Sequence, residues 1–156
     1  MIKRRKNRKI TLSQYVRRRN GVSLGAPGSL QNMLYRSLGA RSFAEFWHYW
    51  NPVWGYALGK YVFIPLKIIF PPVMALIITF VISGLLHDFV VMGLRGSVTF
   101  IFVPWFFILG LGVILARLTE MDLSKFPWII RACINILYVV TCYALSLLLK
   151  QIITLP

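Results

Sequence analysis

Acidic side chains are almost missing: Glu45, Asp88, Glu120 and Asp122 are the four among 156 residues. Any reaction needing paired carboxylates has to be assembled from these. Histidine is scarcer still, with His48 and His87 alone. Glu45 and His48 form one Glu-x-x-His, the spacing of di-iron bundles, but such centres need that motif twice plus further carboxylates. Helix capping explains Glu45 without a metal, so no metal site is expected. The two cysteines, Cys133 and Cys142, lie nine residues apart. On one helix that spacing sets them on opposite faces, roughly 13 Å apart along the axis, which excludes a mutual disulfide or a shared metal. Both read as small buried hydrophobes. No phosphate-binding loop, Cys-x-x-Cys or serine elbow is present, and Gly110-Leu111-Gly112 reads as a packing pair within an apolar helix. No apolar stretch of ~7–15 residues follows the basic N-terminus, so no cleavable signal peptide is expected.

Charge of either sign is sparse, at 14% of residues, whereas 58% are hydrophobic and the mean hydropathy is +0.69. A soluble domain usually carries about a quarter charged residues. The deficit falls in the second half of the chain, in apolar runs long enough to cross a bilayer, which takes ~20 residues. Spans are expected over 69–91, 97–117 and 128–149. The fold class is all-α integral membrane: three transmembrane helices, an aromatic-rich re-entrant or interfacial helical segment and a basic N-terminal tail.

Net charge is +14, and nine of the eighteen Lys and Arg fall in the first twenty residues. Such runs can neutralise nucleic-acid phosphates. Here the tail lacks interleaved aromatics apart from Tyr15, and a membrane domain follows. A topogenic tail kept in the cytoplasm against anionic lipids fits better, with no nucleic-acid partner. In a bacterium the membrane would be the inner, plasma one. Residues 1–29 are thus a basic cytoplasmic tail and linker, mobile as far as residue 20. Residues 30–41, with Leu30, Met33, Leu34 and Leu38 at helical spacing, form an interfacial amphipathic helix, and 42–156 is the membrane domain.

Ser42 and Glu45 have capping-box spacing, so a helix should start at Phe43. Pro52 biases Asn51 away from helical geometry, which places a break near Trp50–Pro52. The stretch 46–66 is long enough to cross, yet His48, Asn51 and Lys60 are costly at depth. A full crossing would also put Arg117, Lys125 and Arg131 outside, so the positive-inside rule favours a re-entrant or interfacial course. Gly55 and Gly59 form a small-xxx-small pair that could let two helices approach closely.

His87 ends an otherwise apolar run, where an ionisable side chain is costly and marks function by default. A neutral imidazole there keeps one nitrogen able to accept a proton, as a general base must. A structural histidine bonded to a neighbouring helix is an equal reading. Asp88 follows at ~100° around the helix and so does not orient His87; it reads as a solvated or helix-partnered carboxylate. Asn51 could polarise a carbonyl or hold a substrate, or satisfy backbone groups beside Pro52.

As an ordered set, Ser42, Glu45, Phe46, Trp47, Trp50, Asn51, Tyr61, Pro65, Leu66, Ser83, Gly84 and His87 resembles the signature of the membrane-bound O-acyltransferase (MBOAT) superfamily. The closest flavour is its wax-synthase and sterol-acyltransferase-like form, and the resemblance covers residues 41–90. It implies transfer of an acyl group from a thioester donor such as acyl-CoA to a hydroxyl of a lipid-like acceptor, with no further cofactor. His87 would be the general base and Asn51 the second catalytic residue, with Trp47, Trp50, His48 and Tyr61 binding substrate. Members of the family are usually longer, with more spans around a tunnel. A second copy of this chain or another membrane protein is therefore expected to supply the remaining wall. The alternative is a non-catalytic MBOAT-like membrane subunit that packs against or regulates a larger complex.

Overall fold

The computed structural model describes residues 10–96 and 100–154, and all regular structure among them is helical. In chain order these are α1 (Leu12–Asn20), α2 (Ser29–Leu38), α3 (Phe43–Tyr49), α4 (Pro52–Leu58), a π-helical turn (Gly59–Phe63), α5 (Ile64–Ile69), α6 (Pro72–Arg95), α7 (Phe102–Leu118) and α8 (Trp128–Thr154). Two of them, α6 and α8, are long and apolar enough to cross a membrane. The third expected span, α7, is equally apolar but has 17 residues.

Where the tail is expected to be mobile to residue 20, Leu12–Asn20 form a packed helix. Thr11 accepts from the Gln14 backbone amide while the Gln14 side chain accepts from the Thr11 amide, a reciprocal cap that starts α1. Val16 and Asn20 of α1 are buried. The Asn20 side-chain amide donates to the Ser29 carbonyl and hydroxyl, and Asn32 and Arg36 of α2 donate to the Asn20 and Arg19 carbonyls. A Thr-x-x-Gln box thus turns three arginines into part of a packed helix pair. The most basic part of the tail, residues 1–9, lies outside the described residues.

At its far end α2 is held by α8: Trp128 stacks on Tyr35 and donates to its carbonyl, and buried Asn135 donates to the carbonyls of Leu38 and Ala40. Ser42 caps α3 as its spacing implies, accepting from the Glu45 amide. Glu45 reaches one residue further back than a capping box requires, to the Arg41 amide. The chain breaks at Trp50–Asn51, and Asn51 caps α4, with Pro52 at its first position. Pro65 accounts for the π-helical turn: it has no N–H to donate and its ring crowds the carbonyl four residues back, so the preceding turn widens. The Ile64 amide bonds Gly59 instead.

The core is aromatic. Phe43 and Phe46 are buried with Leu109, Val113 and Ala116 of α7 and Cys142 of α8. Phe43 stacks on Tyr138, and Trp47 meets Phe80 edge-on. Gly110 and Gly112 pack as expected within α7, against Phe80 of α6 and Phe43 of α3. Cys142 is buried, but Cys133 is exposed, contrary to the reading of both as buried, because only one face of α8 meets the bundle.

Candidate functional site

The end of α6 is built for close approach. A Cβ on Gly84 would lie 2.6 Å from the Phe102 carbonyl oxygen, so the α6 and α7 backbones meet there. Asp88, one turn on, is 1% exposed. Its Oδ1 accepts from the amides of Ile101 and Phe102 and its Oδ2 from Val103, each at 2.9 Å. These are amides that the first turn of α7 cannot satisfy for itself. A carboxylate there also meets the positive end of the helix dipole. Asp88 is therefore partnered by a helix, and it locks the neighbouring segment in place.

His87 is held between these two contacts. Its Nδ1 lies 2.6 Å from the Ser83 carbonyl oxygen. A carbonyl only accepts, so Nδ1 carries the hydrogen and the lone pair of the neutral ring sits on Nε2. Trp54 meets the imidazole edge-on at 5.8 Å, with Phe106 at 4.9 Å and Phe102 at 5.5 Å. The Trp54 indole N–H donates to the Ser83 hydroxyl at 2.9 Å. Ser83 thus fixes the histidine through its carbonyl and the tryptophan through its side chain.

Asn51 is held locally. Its backbone is left-handed (φ 39°, ψ 70°), and its side-chain oxygen accepts from the Trp54 amide at 3.2 Å. The side-chain NH2 has no partner among the described residues. The capping alternative for Asn51 is therefore realised, and it consumes the oxygen but leaves the donor.

His87 and Asn51 line the same cavity, of about 260 Å³, together with Trp47, Trp50 and His48. Its α6 wall is one helix face, Leu76, Thr79, Phe80, Ser83 and His87. At 1.5 Å per residue that face runs about 16 Å. Phe106, Val113 and Arg117 of α7 line the same space. Because α7 runs back along α6 from the Asp88 contact, Arg117 falls at the far end from His87. His48 belongs to that basic end. Partial burial lowers its pKa below the ordinary histidine value, the charges of Arg19 and Arg117 lower it further, and Glu45 opposes them. Burial and the neighbouring Glu45 raise the Tyr49 phenol. The indole N–H of Trp47 is buried without a partner among the described residues.

Tyr61 is not brought to this cavity. It is 67% exposed and lines an adjoining groove of about 720 Å³ with Tyr56, Lys60 and Ile64. Gly55 and Gly59 do not serve as a helix-packing pair either: a Cβ on Gly55 would meet only the Tyr15 hydroxyl, at 3.8 Å, and one on Gly59 nothing within 4 Å. Among the described residues no group of three or more His, Cys, Asp or Glu could hold a metal.

Sequence reasoning missed Trp54, Phe106, Arg117 and Tyr15. Stepping back from His87 by three and four residues finds the α6 wall, and the cap on Asn51 points to Trp54. Nothing in the sequence brings Tyr15 or Arg117 to the site, because they arrive from elements distant in the chain. No protein-family model, curated protein or solved structure matches this chain, so the resemblance over residues 41–90 stands on its motif residues.

Proposed function

We propose that this chain is an integral membrane acyltransferase that moves an acyl group from a thioester to a hydroxyl of a lipid-like acceptor. The membrane reading is supported by exposure. Only 28% of the most apolar stretch of α6 and 22% of that of α8 is buried, so most of this surface has no protein to cover it. A helix apolar on every side needs either a large protein interior or lipid around it. At 17 residues, α7 lies at the short end of the ~17–25 that cross a bilayer, and it is the third span. The broken run α3–α5 is the re-entrant or interfacial element. Arg19 and Arg117 both act on His48, which supports one common side for the α1 arginines and the C-terminal end of α7, and the positive-inside rule favours the cytoplasmic one.

The single observation behind the chemistry is the Nδ1–H bond of His87 to the Ser83 carbonyl, which leaves Nε2 as the proton acceptor in a cavity shared with Asn51. Nε2 takes the proton of the acceptor hydroxyl as its oxygen attacks the thioester carbonyl carbon. The tetrahedral oxyanion is met by the Asn51 NH2. As the intermediate collapses, the C–S bond breaks, the ester forms, and the imidazolium returns its proton to the departing thiolate. A second copy or another membrane protein would complete the walls. A non-catalytic subunit is the second reading, favoured by the cap that accounts for Asn51 without any reaction.

The test is transfer from labelled palmitoyl-CoA into lipid alcohols by the purified chain in nanodiscs, beside His87→Ala with helical content checked. Loss of roughly 10²–10⁴-fold is expected, the usual worth of a general base. Equal turnover in both proteins would remove His87 from the reaction, and no turnover in either would favour the non-catalytic reading.

A further inference from the structure

The cavity of His87 and the groove of Tyr61 adjoin: Tyr15, Gly55, Gly59 and Phe63 line both. Two of those four positions carry no side chain. Gly59 has helical geometry (φ −61°, ψ −46°), so its backbone does not demand glycine. Nothing lies within 4 Å of where its Cβ would be, so packing does not demand it either. Gly55 meets only the Tyr15 hydroxyl. Glycine inside a helix is otherwise a cost. The π-helical turn begins at Gly59, and such turns gather at functional sites. These glycines leave open space on the border between the two compartments.

The compartments differ in chemistry. The inner one carries the imidazole of His87 and the free NH2 of Asn51, with the ring of Trp47 in its wall. The outer one is walled by Ile10, Ile64 and Phe63 and by the rings of Tyr56 and Tyr61, which flank the Lys60 ammonium. The inner cavity, at about 260 Å³, is below the roughly 300–1,000 Å³ usual for a ligand site. The adjoining groove of about 720 Å³ supplies the remainder. We propose that Gly55 and Gly59 form a side-chain-free gate through which the unbranched hydrocarbon of an amphiphile runs from the inner cavity into the groove, so that Gly59 sets the chain length the site prefers. This rests on the proposed lipid-like substrate but not on turnover. It also assigns Tyr61 a place along the ligand, beyond the gate.

The experiment measures binding rather than catalysis. Octanoate and palmitate compete with a fluorescent fatty acid for the purified full chain in nanodiscs, with wild type, Gly59→Leu and Gly59→Ala. Gly93→Leu is the control for the bare change, because Gly93 also has nothing within 4 Å of its Cβ position. Each buried methylene is worth about fourfold in affinity, so closing the gate to several of them should weaken palmitate by at least ~10-fold. Octanoate should hold within about twofold, and Gly93→Leu should match wild type for both. Equal weakening of both acids by Gly59→Leu, no weakening of either, or a wild type that binds neither overturns the gate. Length-selective binding that Gly59→Leu abolishes, in a protein without transfer activity, keeps the gate and removes the enzyme. Transfer activity whose chain-length preference is the same in Gly59→Leu does the reverse.

Discussion

The two halves of the candidate site are held in opposite ways. His87 sits where α6 and α7 touch backbone to backbone, with Gly84 against the Phe102 carbonyl and Asp88 taking three amides of the α7 start. Asn51 sits at the exposed break in a run of short helices, with one side-chain bond to an amide three residues away. The first is a rigid post made by distant parts of the chain, and the second is a local turn leaning on it through the Trp54–Ser83 bond. In the proposed reaction, a base that must present one nitrogen needs a fixed ring. A donor that has to follow charge as it develops is compatible with a looser mount.

The contrast breaks most visibly at Asp88. Asp88→Ala strands three partly buried amides and should cost about 3 kcal/mol, read as a large drop in the unfolding midpoint of the purified chain in micelles. Gly84→Val should cost about 2–3 kcal/mol through forced separation of the two helices, with the His87 ring displaced. If either variant were as stable as wild type, the rigid post would not exist.

On the Asn51 side the effects are smaller and follow local rules. Asn51→Ala loses the cap and keeps a left-handed backbone that alanine disfavours, about 1–2 kcal/mol together. Asn51→Gly loses the cap but suits the backbone, and should cost only ~0.5 kcal/mol. That order, alanine worse than glycine, is the sign of a local turn, and the same unfolding assay reads it.

The smallest effect concerns pH. His48 has its folded pKa below the ordinary value, so the folded state resists its protonation. Its contribution is complete above the unfolded value of about 6.5 and declines as pH falls through that value toward the folded one. Acidification from roughly pH 7.5 to 5 should lower the melting temperature of wild type more than that of His48→Gln. Equal slopes would mean that the fold neither desolvates His48 nor sets it against Arg19 and Arg117.

Much of this was legible in the residues because it is written locally. Ser42 and Glu45 start α3, Pro52 sets the break, Pro72 opens α6, and long apolar runs become α6 and α8. The errors were local signals passed over or over-read. Thr11 and Gln14 have capping spacing and order α1, whereas of Gly55 and Gly59, which have packing spacing, only Gly55 has a near neighbour, the Tyr15 hydroxyl.

By itself the sequence determined the helical character, the apolar surfaces and which few polar side chains could do chemistry. Caps, prolines and hydrophobic runs act within a turn or two and need no partner. Only the tertiary structure decided that His87 and Asn51, thirty-six positions apart, line one cavity. It also decided that Nδ1 of His87 faces the Ser83 carbonyl and that Arg117 and Tyr15 stand at the same site. Those outcomes depend on which helix faces meet, and α6 and α7, apolar on nearly every side, carry no pattern that names the face in advance. The close approach at Gly84 and the amides waiting for Asp88 select it.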